Sequence, residues 1–443
     1  MKILKFGGTS VGTAESIKNV KSIITSDNND KMLVLSAMSG VTNMLVELGL
    51  FFKEGRGADV EEQLLKLRAK HYGLIDELIT DDSLNQQCKD YVQAQLSELH
   101  ELYERELSEE IEARIVTTGE SLLTFIFSNY LTSESIQNTL LDAKEFMRID
   151  NLENPDTNLV GKHLEKTLQK NQRSNIYITQ GFVRINKDNE ICTLKRGGSD
   201  YSATIIGAAL KASEVQIWTD ISGLHNNDPR FVQNTHPVAN LSFEEAAELA
   251  YFGAKILHPQ TISPVIGKGI PVFLKNTFTP EAVGTRITAF TEDKGLKAIS
   301  AKDEITAIRI KSNRMLMAHG FLRKIFEVFD KYETAIDMIT TSEIAISLTI
   351  DDSSRLDKIL DELEQYGEIS VDPDHSIICV VGEGLIEESN TSRLFEILKD
   401  VPVRMISYGG SKNNISLLVD TQHKIKALKQ LNDKLFVSNL QPS

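Results

Sequence analysis

Two glycine pairs, each flanked by a cation and a hydroxyl, are the residues in this sequence best suited to handling anions. The first is Lys5-Phe6-Gly7-Gly8-Thr9-Ser10, a lysine at the end of an apolar run followed by two glycines and two hydroxyls. Glycines let backbone N–H groups approach phosphate oxygens closely, and a following helix N-terminus adds a favourable dipole. Lys5 could then neutralise a transferring phosphoryl group. Because the lysine precedes the glycines this is not a Walker A arrangement, and a tight βα turn would leave the same Gly-Gly signature. The second pair is Arg196-Gly197-Gly198-Ser199-Asp200, leading into a small-residue helix over 202–212. Arg196 suits bidentate capture of a carboxylate. Asp200 could orient a metal-bound nucleotide or a substrate amine, or cap the helix.

Three more segments carry polar groups at suggestive places. Trp218-Thr219-Asp220 ends an apolar run and is followed by Gly223-Leu224-His225-Asn226-Asn227-Asp228-Pro229-Arg230. This reads as a nucleotide-binding edge or as a plain Asx-Pro turn. Gly253-Ala254-Lys255 sets another lysine beside a glycine, and His258 before Pro259 reads as a packed loop residue. Thr117-Thr118-Gly119-Glu120-Ser121 reads as the opening of a helix with Glu120 in its first turn. There the carboxylate would serve the helix dipole or receive a substrate ammonium. Cys88, Cys192 and Cys379 lie far apart and without a paired His pattern, so they give neither a disulfide framework nor a zinc site.

The elements that must position these groups alternate between short β-rich runs and longer amphipathic stretches over the first 290 residues. That is the pattern of an α/β fold, a mostly parallel open sheet with helices on both faces. Strands are expected at about 2–6, 32–36, 176–180, 215–219 and 271–275, each ending in a polar or glycine-containing segment. Ligands of open α/β sheets bind beyond the carboxyl ends of the strands, so the distant motifs should share one pocket. A helical excursion over 59–114 carries fifteen acids and six bases, read as solvated helix faces. After the charged connector 291–295 the pattern changes. Strands at 305–311, 335–341, 344–350, 376–381, 403–407 and 414–419 and helices at 321–331, 354–366, 391–399 and 422–436 suggest a duplicated ferredoxin-like module.

The chain has 443 residues, with 48 Lys+Arg against 63 Asp+Glu and a net charge of −15. Its length suggests two to four domains, and its acidity argues against a nucleic-acid or anionic-membrane partner. No run of 18 apolar residues is present, and glycines interrupt the N-terminus before a signal-peptide core could form. A cytoplasmic location is expected.

Taken together the motifs resemble aspartate kinase, of the amino-acid kinase superfamily. They are KFGGTSV at 5–11, SAMSGVTN at 36–43, TTGE at 117–120, RGGSDYSA at 196–203, WTDISGLHNNDPR at 218–230 and FGAKILHP at 252–259. Further on, MAHGFLRKIF (317–326), IDMITTSE (336–343) and RMISYGGSKNN (404–414) resemble tandem ACT domains, and the resemblance covers essentially the whole chain. It implies ATP-dependent phosphorylation of the β-carboxylate of L-aspartate, with Mg²⁺ on the nucleotide, the committing step towards lysine, threonine, methionine and diaminopimelate. It implies a catalytic domain over 1–290 and a regulatory region over 291–443, with ACT modules at about 313–375 and at 305–311 plus 376–443.

Residue by residue, the resemblance places Lys5, Gly7, Gly8 and Ser10 at the phosphates. Thr42, Glu120, Arg196 and Ser199 would hold aspartate, with Arg196 on the α-carboxylate. Asp200 falls on an acidic position of the catalytic centre, and Thr219, Asp220, His225, Arg230 and Lys255 would line the nucleotide site, Lys255 also acting in catalysis. Lys195 stands where the family usually has glycine, and His225 where related enzymes often place tyrosine. Met315, Gly320, Phe321, Leu322, Asp337, Ser342 and Glu343 match the effector region of lysine-sensitive members. Feedback inhibition by L-lysine on a homodimer or homotetramer built through the ACT modules is therefore expected. The alternatives are another carboxylate or carbamate kinase of the superfamily, and a non-catalytic ACT amino-acid sensor. A carboxylate nucleophile is already ionised at neutral pH, so the reaction needs two anions held in line with their charge neutralised rather than a general base.

Overall fold

The computed structural model describes residues 1–195, 197–253, 259–312, 319–385 and 390–437. They divide into two compact units, one of residues 1–224, 239–243 and 257–290, the other of residues 225–238, 244–256 and 291–443. In chain order the strands of the first unit are β1 (Lys2–Phe6), β2 (Lys31–Leu35), β3 (Thr139–Leu141), β4 (Ile176–Gln180), β5 (Val183–Ile185), β6 (Ile191–Thr193), β7 (Glu214–Thr219), β8 (Asn240–Ser242), β9 (Val272–Asn276) and β10 (Thr285–Thr288). The helices up to this point are α1 (Ala14–Ile24), α2 (Val41–Glu54), α3 (Gly57–Leu78), α4 (Asp82–Leu102), α5 (Glu109–Ser133), α6 (Thr157–Lys170), α7 (Gly198–Ala209), α8 (Phe243–Tyr251) and α9 (Pro259–Ile266).

The main sheet has eight strands in the order β3-β4-β2-β1-β7-β9-β10-β8. The first six run parallel, and β10 lies antiparallel to β9. Every residue of β2 and of β4 is buried, as strands covered on both faces require. One face packs Leu4, Phe6, Leu33 and Leu35 into a core with the apolar stripes of α1 to α5. On the other lies α7, whose glycine and alanine content lets it approach the sheet.

The acidic excursion is not one helix but three, α3, α4 and the start of α5, each burying a stripe of Val, Leu and Ile at helical spacing. Asp81 caps α4 and Ser108 caps α5, whose first turn gathers Glu109, Glu110 and Glu112. Helix α5 therefore starts well before Thr117, and Glu120 lies in its interior rather than in an opening turn. The dipole role considered for that carboxylate is met by the acids eleven to eight residues upstream.

The second unit contains a six-stranded antiparallel sheet of β11 (Gly295–Lys311), β12 (Met338–Thr341), β13 (Ala345–Ile350), β14 (Glu368–Glu383), β15 (Val403–Tyr408) and β16 (Asn414–Asp420), in the order β12-β13-β11-β14-β16-β15. Helices α10 (Phe321–Lys331) and α11 (Leu356–Leu363) cover one half of it, and α12 (Asn390–Ile397) and α13 (Thr421–Asn432) the other. The two long strands β11 and β14 pair along most of their length and pass through both halves. Residues 306–311 of β11 pair with β13, in the half that holds α10 and α11. This differs from the expected placing of 305–311 with the second module. The segment 295–302 pairs there instead, against 377–383 of β14. Register shifts between Lys302 and Ala307 explain why the sequence read only the later part as a strand, since a bulge breaks the alternation.

Candidate functional site

Strand order reverses at β1. From there the chain builds outward through β2 to β4 on one side, then returns through β7 and β9 on the other. The crevice beyond the carboxyl ends of β1 and β7 is thus the place where an open α/β sheet offers a ligand site. The ladder continues past the strand ends and keeps that edge aligned. Gly181 donates its N–H to the carbonyl of Leu35 at 2.9 Å, Ser36 to Phe6 at 3.2 Å, Gly7 to Trp218 at 3.1 Å and Thr277 to Thr219 at 2.9 Å.

At the centre of the edge Lys5 reaches Asp200 at 2.7 Å, with both side chains mostly buried. Lys5 comes from β1 and Asp200 from the first turn of α7, so the two glycine motifs meet across the fold. Gly7 and Gly8 follow Lys5 closely packed: a Cβ on Gly7 would lie 3.3 Å from Lys5 Nζ, and one on Gly8 would lie 3.1 Å from the carbonyl of Ala37. Ser10, matched by resemblance to the phosphates, is fully buried here. Its hydroxyl is 2.7 Å from Thr277 Oγ1 and 3.3 Å from the carbonyl of Trp218. It braces β1 against β7 and β9 instead of lining an open surface. Thr219 donates to Asp220 Oδ1 at 3.0 Å, and the Asp220 carboxylate is exposed at the same edge.

Glu120 is 3% exposed, and its Oε2 has no hydrogen-bond partner among the described residues. Burial pushes its carboxyl up to about 8, against hydrogen bonds from its own backbone and that of Ala37, which favour the charged form. Gly119 brings this part of α5 against the turn after β2, since a Cβ there would lie 2.7 Å from that of Ala37. The same turn leads to α2, where Thr42 sits half-buried in the first turn behind Gly40 at φ 80°. Ser199 packs on the backbone of Gly181 at the end of β4, where a Cβ would fall 2.6 Å from Ser199 Oγ. Lys195, the departure from the family's glycine, adopts φ 60°, the left-handed region in which glycine is free and a lysine is strained. Arg196 lies outside the described residues.

Three further residues, each inside a quoted motif but given no role there, support these groups. Ser202 ties the loop after β4 to α7, accepting from the Phe182 N–H and donating to the carbonyl of Gly198, each at 2.9 Å. Ala37 supplies the backbone beneath Glu120. Asp228 holds the Arg230 guanidinium at 2.6 Å. Only the small-residue run 202–209 hinted at the first.

The remaining expected residues fall in the second unit or outside the description. His225 lies 3.0 Å from Thr235 Oγ1, its pKa lowered by burial and then by His236. Arg230 is largely exposed and paired with Asp228. Both belong to the second unit, whereas Thr219 and Asp220 belong to the first; Lys255 and Met315 lie outside the described residues. Gly320 caps α10 at φ 80°, Leu322 is exposed, and Phe321 is buried in the α10–α11 core. Ser342 and Glu343 form the exposed hairpin between β12 and β13. Asp337, matched by resemblance to the effector region, is already partnered within the fold. Its side chain is buried, 2.8 Å from Lys302 and accepting from the Tyr251 hydroxyl at 3.0 Å. Burial raises its pKa, with Lys302 opposing.

Comparison with known proteins agrees with this architecture. Residues 1–276 match the model of the amino acid kinase family, and residues 378–435 that of an ACT domain. The chain belongs to the amino acid kinase family and, within it, to the aspartokinases. Lysine-sensitive aspartokinase 3 of Escherichia coli (strain K12) is 30% identical, over 98% of this chain and 99% of its own length. The crystal structure of E. coli aspartokinase III in complex with aspartate and ADP, in an R-state, superposes with a TM-score of 0.83 at 30% identity, covering 98% of this chain and all of that one. The same protein in complex with lysine and aspartate, in a T-state, gives 0.81 at 30% identity over 98% and 99% of the two chains. No helix among the described residues is long and apolar enough to cross a membrane.

Proposed function

We propose that this chain transfers the γ-phosphoryl group of ATP to the β-carboxylate of L-aspartate, giving 4-phospho-L-aspartate and ADP. The observation that carries the reading is the pairing of Lys5 with Asp200 at the strand edge beside the turn that supports Glu120. Lys5 supplies a cation suited to bringing two anions together, and Glu120 supplies a carboxyl oxygen, without a partner among the described residues, suited to a substrate ammonium. Lys5 neutralises the transferring group, and the Gly7 and Gly8 backbone serves the phosphates. Arg196 takes the α-carboxylate, Glu120 the ammonium, and Thr42 and Ser199 orient the substrate. Thr219, Asp220, His225, Arg230 and Lys255 line the nucleotide. Mg²⁺ arrives on the nucleotide: Asp200 and Asp220 are oxygen donors of the kind it takes, and no three His, Cys, Asp or Glu side chains among the described residues converge on a metal of their own. When bound, the ion spreads the charge of the phosphates.

On this reading residues 1–290 form the catalytic domain and 291–443 a regulatory region of two ACT modules. The region responds to L-lysine in a cytoplasmic homodimer or homotetramer. A coupled ADP-release assay with L-aspartate, L-glutamate, N-acetylglutamate and carbamate tests the reaction. Turnover with aspartate alone supports it, turnover with another acceptor reassigns the substrate, and none with any favours a sensor. Unchanged activity across physiological lysine concentrations would remove the regulatory assignment, and threonine is then the effector to try.

A further inference from the structure

Helix α5 has a second lined face. Gly119 and Glu120 turn toward Ala37 and α2, while Arg114, Thr117, Thr118, Ser121 and Phe125 recur at helical spacing on the other side. There they line a cavity of about 380 Å³ closed by α4, the end of β4 and the segment after β3. The volume lies in the range of small-molecule sites. Its wall is an aromatic pair, Tyr91 stacked on Phe125 at 3.9 Å, continued by the buried side chains of Leu99 and Leu102. The Thr117 and Thr118 hydroxyls are turned back onto their own helix, bonding the carbonyls of Ala113 and Arg114 at 2.8 Å.

Four partly exposed charges, two of each sign, also line it. Arg114 stands 3.7 Å from Glu110, one turn back on α5, and 4.0 Å from Glu98, and Lys144 3.5 Å from Asp142. None of these pairs closes to the 2.7–2.9 Å typical of a charge-assisted hydrogen bond. We propose that this cavity is a second small-molecule site, taking an α-amino acid with an uncharged side chain, its carboxylate on Arg114 and Lys144 and its ammonium on Glu98 and Asp142. The side chain then lies against Tyr91 and Phe125. Gln180 joins this site to the fold, since its amide donates to Thr124 and accepts from the Ala143 N–H.

The test is hydrogen–deuterium exchange and calorimetry on the full chain with L-leucine and L-phenylalanine, each beside its N-acetyl and its amide derivative. The zwitterions should protect segments 91–102, 114–125 and 140–144, and the blocked forms should not. Arg114→Gln should weaken binding by about tenfold or more, the scale of one charge-assisted contact. Ser121→Phe, which fills the cavity, should abolish it. Absence of protection in those segments at millimolar zwitterion, equal protection by the blocked forms, or unchanged affinity in Arg114→Gln overturns the proposal.

Discussion

Replacing Glu120 by glutamine should make the protein more stable and less able to bind its substrate, and the two effects should separate along the pH axis. In the unfolded chain this carboxyl has an ordinary value of 4.5, and burial carries it to about 8 in the folded one. The native state therefore holds a proton that the unfolded state has released, so stability falls as pH rises from about 4.5 to about 8. At pH 7, about 2.5 pH units above the unfolded value, this amounts to roughly 3 kcal/mol, and above pH 8 to roughly 5 kcal/mol. Urea unfolding across that range should show the wild-type stability declining against Glu120→Gln, with the two curves converging near pH 4. Substrate binding should report the same group in reverse. If Glu120 must be charged to receive an ammonium, aspartate binding at pH 7 releases about one proton, and affinity rises roughly tenfold per pH unit up to pH 8. The variant should bind weakly and without that slope. Parallel stability curves for the two proteins would refute the reasoning at its first step.

Three other outcomes follow from named contacts. Lys5→Ala should depress phosphoryl transfer by at least about a hundredfold at temperatures where it is still folded, although loss of the partner of the mostly buried Asp200 also lowers the thermal midpoint; near-normal turnover would contradict its role. His71 is buried in α3, its Nδ1–H donating to the Leu67 carbonyl at 2.7 Å, with burial holding its pKa down at about 4. Its unfolded form binds a proton first, so stability should fall by up to about 3 kcal/mol between pH 6.5 and 4, and His71→Gln should flatten that slope in urea titrations. Lys195→Gly should raise the melting temperature, because a left-handed lysine costs about 1–2 kcal/mol before the extra flexibility of unfolded glycine is deducted. A lower melting temperature would show that the lysine side chain has compensating partners.

Much of the site was legible because its parts sit at strand ends, where composition changes abruptly. The strands 2–6 and 176–180 match their expected bounds, and the motifs behind them lie along one sheet edge. Glu120 was placed wrongly in its helix because Thr117 resembles a cap, whereas Ser108 had already capped the turn and the acids after it looked like solvated surface. The burial of that carboxyl depends on Ala37, some eighty residues earlier, a contact no local pattern carries. Ser10 and Asp337 show the same limit. Each has the side chain its motif requires, yet the fold gives the Ser10 hydroxyl to Thr277 and the Asp337 carboxylate to Lys302 and Tyr251. Which partner a polar group takes is decided by tertiary approach, and the sequence holds only the candidates.

The two long strands of the six-stranded sheet bear on how such a protein could be re-engineered. Because β11 and β14 each pass through both ACT-like halves, the half with α10 and α11 is one uninterrupted stretch, 306–372, set inside the other, which is split between 295–302 and 377–432. A cut at residue 312 or at 375 would part 295–302 from the segment 377–383 with which it pairs in the split half. The split half is therefore not a cassette that can be exchanged by itself between relatives. Grafting it must move the whole of 295–432 at once, and a single recombination point between 303 and 376 should yield insoluble chimeras even where both parents fold.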